Sequence, residues 1–167
     1  MVYSLPFQTT VESKTREFQY KILNRILLIF TTDKLFRLGM VESPNCALCH
    51  EDVESVEHLL FSCTKTSEFW KHVLSWLRDK NLHIETLTET DVIFGKFDVK
   101  EDSTLINHIL LLGIHYIYSR KCPNAIPSLR GFIARIRQAY NIELHIARKR
   151  DKLSFHLKRW EKLIDFL

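Results

Sequence analysis

An all-α fold, an irregular helical bundle, is the class this sequence predicts, and three observations predict it. Four glycines and four prolines in 167 residues are too few for a chain of tight β-turns. Apolar residues recur at intervals of three and four along most segments, which is the helical period. The balance of 46% hydrophobic and 26% charged residues is that of a globular chain.

The first helix is expected from about Val11 to Phe30. Phe18, Ile22, Ile26 and Ile29 form its apolar stripe, joined by Leu23, Leu27 and Phe30. Lys14, Arg16, Lys21 and Arg25 take the other side. A short second helix in "TDKLFRLG" starts at a threonine cap and stops at Gly39. Its Leu35, Phe36 and Leu38 are expected to fold onto helix one. A helix over about Ser67–Lys80 presents Phe69, Trp70, Val73, Leu74, Trp76 and Leu77, and both tryptophans read as core. "LTETDVIFG" is a short helix capped by Thr88 or Thr90 and stopped by Gly95. Residues 102–121 form a helix that is apolar nearly all round and belongs at the centre. Its His108 and His115 read as core or groove histidines rather than as a second metal pair. "PNAIP" then breaks the chain. From Ser128 one long basic C-terminal helix is expected to run to about Phe166. Phe132, Ile136, Tyr140, Glu143/Leu144 and Ala147, then Leu153, Leu157, Trp160 and Ile164, follow its inner face. The chain divides into a first helical region, 1–95, and a helical extension, 96–167, packed with it as one unit.

Zinc enters through "SPNCALCHEDVESVEHLLFSC". Cys46, Cys49, His58 and Cys63 stand at C-x2-C-x8-H-x4-C spacing. A tetrahedral zinc site takes four such ligands. Pro44 and Asn45 suit the turn that aims two thiolates at one point. "SVEHLLF" reads as a short helix with Ser55 as N-cap and His58 in its first turn. On an unbroken α-helix Cys63 would lie roughly 140° from His58, so the helix must loosen near Ser62–Thr64. His50 leaves the turn in the wrong direction to compete, and Cys122 is remote and reads as a free thiol. Four protein ligands close the coordination shell, so the ion, Zn2+, is structural rather than catalytic. Glu54 and Glu57 are accounted for by the positive end of the following helix.

Charge is unevenly distributed. Residues 1–119 carry 12 Lys/Arg and 16 Asp/Glu, whereas residues 120–167 carry 12 and 4. A polyanion is the partner such a basic end suits. Arg135, Arg148, Lys149, Arg150, Lys152, Lys158 and Arg159 are the candidate phosphate contacts. The most apolar run, His108–Tyr118, is about half the ~20 residues a membrane span needs. "MVYSLPFQTTVESK" lacks the basic start and apolar stretch of a secretory signal. An intracellular protein is expected, nuclear or cytoplasmic, without a membrane partner.

Thr15 to Trp70 resembles the zinc-binding region of LINE-type (non-LTR) retrotransposon reverse transcriptases. "FQYKILNRIL", "DKLFRLG" leading into the cysteine pair, "VEHLLFSC" and the tryptophan seven residues on carry the resemblance. It continues more weakly through "DVIFG", "NHILLLGIHYIYSRK" and "IELHIARKRDKLSFHLKRW". The resemblance implies the C-terminal part of a longer polyprotein, with ligand roles at Cys46, Cys49, His58 and Cys63. It also implies binding of RNA or DNA, RNA above all. No Tyr/Phe-x-Asp-Asp polymerase signature is present, and the acidic pairs Glu51-Asp52 and Glu101-Asp102 lack its aromatic context. No His-x-Glu or second C-x2-C supports a hydrolase or deaminase. The expectation is a non-catalytic nucleic-acid-binding domain, detached or truncated from its parent. The alternative is a protein-interaction module that docks onto the polymerase part of the same polyprotein.

Overall fold

The computed structural model describes residues 2–27, 31–82, 84–97 and 102–166. Every regular element among them is helical, apart from an isolated antiparallel bridge between Asn45 and Val53. The all-α expectation holds.

A 3-10 turn, Val2–Ser4, leads into α1, Leu5–Thr9, and α2, Ser13–Leu23. The first helix is thus shorter than its apolar pattern predicts. It closes at Asn24, and Arg25 takes a left-handed φ of 57°. Phe18 and Ile22 are buried as expected, whereas Ile29 and Phe30 lie outside the described residues. The next helix, α3, is Thr32–Arg37, capped by the Thr31 hydroxyl, which accepts from the Lys34 amide. Its brace on helix one is weaker than expected. Leu35 is half-buried, but Phe36 and Leu38 are 42% and 59% exposed.

At the centre lies α6, Ser103–Lys121. Twelve of its nineteen residues are buried, which is why its sequence shows no polar face. It touches α1, α2, α5 and α7. The helix α4, Thr64–Asp79, approaches it at Gly113, where any added Cβ would meet the Trp70 ring at 2.4 Å. Trp70 and Trp76 are both core. The short α5, Glu89–Phe94, opens with a capping box between Thr88 and Asp91. The loop after it is pinned to α6 by the Asn107 amide, which accepts from the Lys96 N–H at 2.7 Å and donates to the Lys96 carbonyl at 2.9 Å. Phe69, Tyr116 and Phe132 meet edge-on or tilted at 5.3–5.8 Å, joining α4, α6 and α7.

The basic C-terminal segment corrects the expectation of one continuous helix. It forms α7, Leu129–Lys149, then α8, Leu153–Trp160, then a 3-10 turn, Glu161–Phe166. Asp151 adopts φ 53°, and the Lys152 N–H reaches back to the Ala147 carbonyl at 2.9 Å. This is a Schellman ending with aspartate in the position glycine usually takes. The chain therefore folds back, and α8 packs on α7.

Candidate metal centre and basic surface

Each member of the ligand quartet is delivered by its own local device. The Cys46 N–H donates to the Asp52 carbonyl at 2.7 Å and the Glu54 N–H to the Pro44 carbonyl at 3.0 Å, closing a small hairpin. Within it the chain turns between Cys46 and His50, and His50 is exposed with φ 62°. That turn aims Cys46 and Cys49 the same way. Ser55 then caps the next helix by accepting from the His58 N–H at 2.9 Å. From His58 to Ser62 the helix widens to a π turn, and the Cys63 N–H bonds the His58 carbonyl at 2.8 Å. An i→i+5 turn returns residue 63 to the side of residue 58, which a regular α-turn would not. The loosening expected near Ser62 therefore begins a turn earlier.

Widening a helix strands carbonyls, and here they are caught. The Thr66 hydroxyl donates to the Leu59 carbonyl at 2.9 Å and the Trp70 indole to the Leu60 carbonyl at 2.8 Å. The π turn is thus held against α4 by groups from α4 itself.

The four donor atoms lie within 4.8 Å of one another. The Cys46 and Cys63 sulfurs are 3.9 Å apart, and the Cys49 Sγ lies 3.4 Å from the His58 Nε2. A tetrahedron with arms of 2.0–2.3 Å has edges of about 3.3–3.8 Å, so the quartet is sized for zinc. It is also too open for a disulfide, whose sulfurs would sit about 2.05 Å apart. The hydrogen bond from the Cys46 thiol draws Cys63 down to about 5, helped by the Thr66 and Lys65 amides. The same sharing, then burial, pushes Cys46 up. Protein groups alone stabilise one thiolate, and a divalent cation would supply the charge that lets the others ionise. Held by four protein ligands, zinc would contribute folding free energy.

Glu54 is a site residue that sequence reading assigned to the wrong cause. It is buried, and the helix end it serves is the start of α3 rather than the helix that follows it in the chain. Its carboxylate accepts from the Thr32 amide at 2.8 Å and the Ala47 amide at 3.0 Å, and it pairs with Lys121 of α6. One side chain thus joins the metal turn, α3 and the central helix. A glutamate between Val53 and Val56, residues of a short apolar pattern, was the available signal.

The seven candidate phosphate contacts separate into two groups. Arg148, Lys149, Arg150, Lys152 and Lys158 are exposed, the first four around the α7–α8 corner and Lys158 in the last turn of α8. Arg135 and Arg159 are mostly buried and turned inward. Arg135 grips Glu12 with both guanidinium arms, Nη1 to Oε1 at 3.1 Å. Although burial raises the Glu12 carboxyl, that grip holds it below the ordinary carboxylate value. Arg159 donates to the Thr9 carbonyl and to His108 Nδ1, the latter at 2.9 Å, and lies 3.6 Å from Glu143. The Trp160 indole adds a bond to Glu143 at 3.1 Å. Burial, then the Arg159 charge, pushes fully buried His108 well below its usual value, so it is neutral. Burial also raises Glu143 against the pull of Arg159. His115 stands apart on the Phe18 ring at 5.1 Å, so the two histidines of α6 share no site. No helix among the described residues is long and apolar enough to cross a membrane.

Residues 2–70 match the family model described as zinc-binding in reverse transcriptase. No curated protein and no solved structure matches. The match contains the whole ligand quartet and ends at Trp70, the residue whose indole holds the π turn. Residues 2–70 are thus similar to the zinc-binding region of reverse transcriptases, and they carry a Cys3His cluster able to hold the metal.

Proposed function

We propose that this chain is a non-catalytic domain in which zinc, bound by Cys46, Cys49, His58 and Cys63, holds the fold while an exposed basic corner binds nucleic acid. The parent would be a non-LTR retrotransposon reverse transcriptase, and the setting intracellular. The observation that carries the reading is the sorting of cations. Five of the seven candidate contacts stay in solvent, four of them around the α7–α8 corner, within a segment, 120–167, that has 12 basic and 4 acidic residues. Charge at that density releases counterions from a phosphate backbone and reads no sequence.

Titration of the zinc-loaded chain with RNA and DNA at two salt concentrations tests this. Affinity should fall with salt at a slope of about 0.7–0.9 per phosphate contact. Substituting Arg148, Lys149, Arg150 and Lys152 by glutamine should flatten that slope and weaken all sequences alike. Binding indifferent to salt would overturn the reading.

A second reading has its own support. Phe36, Leu38, Met40 and Val53 are exposed around the metal hairpin, an apolar rim that suits a protein surface such as the polymerase part of the same polyprotein. Loss of partner binding on substituting Leu38 and Met40, with nucleic-acid affinity unchanged, would favour it.

A further inference from the structure

We propose that the cleft between α1 and α8 is a pocket for one unpaired nucleotide, its base lying on the rings of Phe7 and Phe155 and its phosphate on Arg150 and Lys152. The inference rests on the nucleic-acid reading above and gives it a preference for single strands. The cleft has a volume of about 260 Å³ and is lined by all four residues. That is slightly smaller than a pocket for a drug-sized ligand, and right for one base rather than a stack of them.

Two features of the walls point to a base. Phe7 and Phe155 are 68% and 69% exposed, on different elements that border the same cleft. Large rings left in water beside cations are the platform single-stranded nucleic acids use, because every base has a π-face and only an unpaired base can turn it outward. Arg16 already sits 5.1 Å from the Phe7 ring centroid, holding that ring in place by a cation–π contact.

The floor adds an independent sign. His156 and Glu143 are each 5% exposed, and both line the cleft. His156 Nε2 and Glu143 Oε1 have no hydrogen-bond partner among the described residues. Buried polar atoms are normally satisfied. The polar edges of an unpaired base suit such a floor, although both atoms lie just beneath its surface and Trp160 and Arg159 already hold the other Glu143 oxygen. A duplex keeps those edges paired and would meet only the cations at the rim.

The experiment compares the zinc-loaded full chain with Phe7→Ala and Phe155→Ala, using a labelled single-stranded 15-mer and a duplex of the same length. Circular dichroism confirms that each variant is folded, as expected for exposed side chains. Each substitution should weaken single-strand binding roughly tenfold, the scale of one base–aromatic stack, and leave duplex binding and its salt slope unchanged. Phe155→Trp should keep single-strand affinity, and Lys149→Gln should weaken both ligands alike. Equal losses for strand and duplex, or none for either, would overturn the pocket while the basic corner stands. Failure of the wild-type chain to bind any nucleic acid would overturn both.

Discussion

The metal hairpin and the C-terminal helices hold their shape by different means. Between Pro44 and Cys63 order comes from directional bonds: four ligand atoms, the three groups on Glu54, and the hairpin amides. Around it Phe36, Leu38, Met40 and Val53 stay in water, and its apolar anchorage is confined to Leu48, Val56, Leu59 and Leu60 beneath it. From α6 to α8 order comes from area. Leu112, Ile114, Phe132, Ile136 and Trp160 are sealed from solvent, and the buried polar groups include Asn107, His156 and the cluster of Arg159, Glu143 and His108. Directional bonds fail together when one partner is removed, whereas an apolar core fails by degrees. The two regions should therefore respond differently to the same kind of insult.

The largest effect should follow loss of the metal. Structural zinc sites supply about 10–16 kcal/mol in small fingers. A Cys46→Ser, Cys49→Ser variant should lose bound zinc and become protease-sensitive between Pro44 and Cys63. The helical circular dichroism of α6–α8 should persist. If the whole chain melts as one, the contrast between the regions is wrong.

Glu54→Gln should come next, because Glu54 is the joint between them. Withdrawing a carboxylate from a buried ion pair costs about 3 kcal/mol or more. Chemical denaturation should show that loss, and a chelator should strip zinc from the variant faster than from the parent. A fall in stability with unchanged zinc retention would confine Glu54 to the helical side.

Gly113→Ala probes the area-held region alone. Alanine is the better helix former, yet its methyl would collide with Trp70. Overpacking of this kind costs about 1–3 kcal/mol. Thermal unfolding should record the loss, with zinc stoichiometry unchanged.

The smallest effect is a pH dependence of the helical core. His108, His115 and His156 are all held below their ordinary value, in each case chiefly by burial. Well above 6.5 these histidines are neutral whether folded or not, and they add no pH dependence to stability. As pH falls through 6.5 the unfolded chain takes up protons that the folded chain refuses, so stability declines. Glu143, held up by burial, acts in the opposite sense closer to 4.5. The slope should approach about 1.4 kcal/mol per pH unit for fully buried His108. His108→Gln, which keeps an acceptor for Arg159 but does not titrate, should flatten the decline between pH 6.5 and 5.5. Zinc content, followed in the same samples, separates this from acid release of the metal.

Much of this could be read in advance, for identifiable reasons. The ligand quartet was legible because its members lie within eighteen residues and their spacing is a local property. The central position of α6 was legible because a helix buried on every side has no polar stripe. The break between α7 and α8 was not. Helix ends are read from glycine and proline, and here Asp151 supplies the left-handed angle instead. The π turn was foreseen only as a need, since Cys63 had to rejoin His58, and its position depends on α4 side chains that receive the freed carbonyls. Glu143 in an apolar stripe was a visible anomaly whose explanation, Arg159 and Trp160, lies on another helix.

Sequence by itself determined the helical class and the donor set for a tetrahedral ion, because periodicity and ligand spacing are set over a few turns of chain. Tertiary structure alone decided which cations face solvent. Arg135 meets Glu12 across 123 positions and Arg159 meets His108 across 51, and neither pairing leaves a trace in local composition. Coulombic and hydrogen-bond partners are chosen by distance in space, so a basic residue's availability to a polyphosphate is settled only when the chain has folded around it.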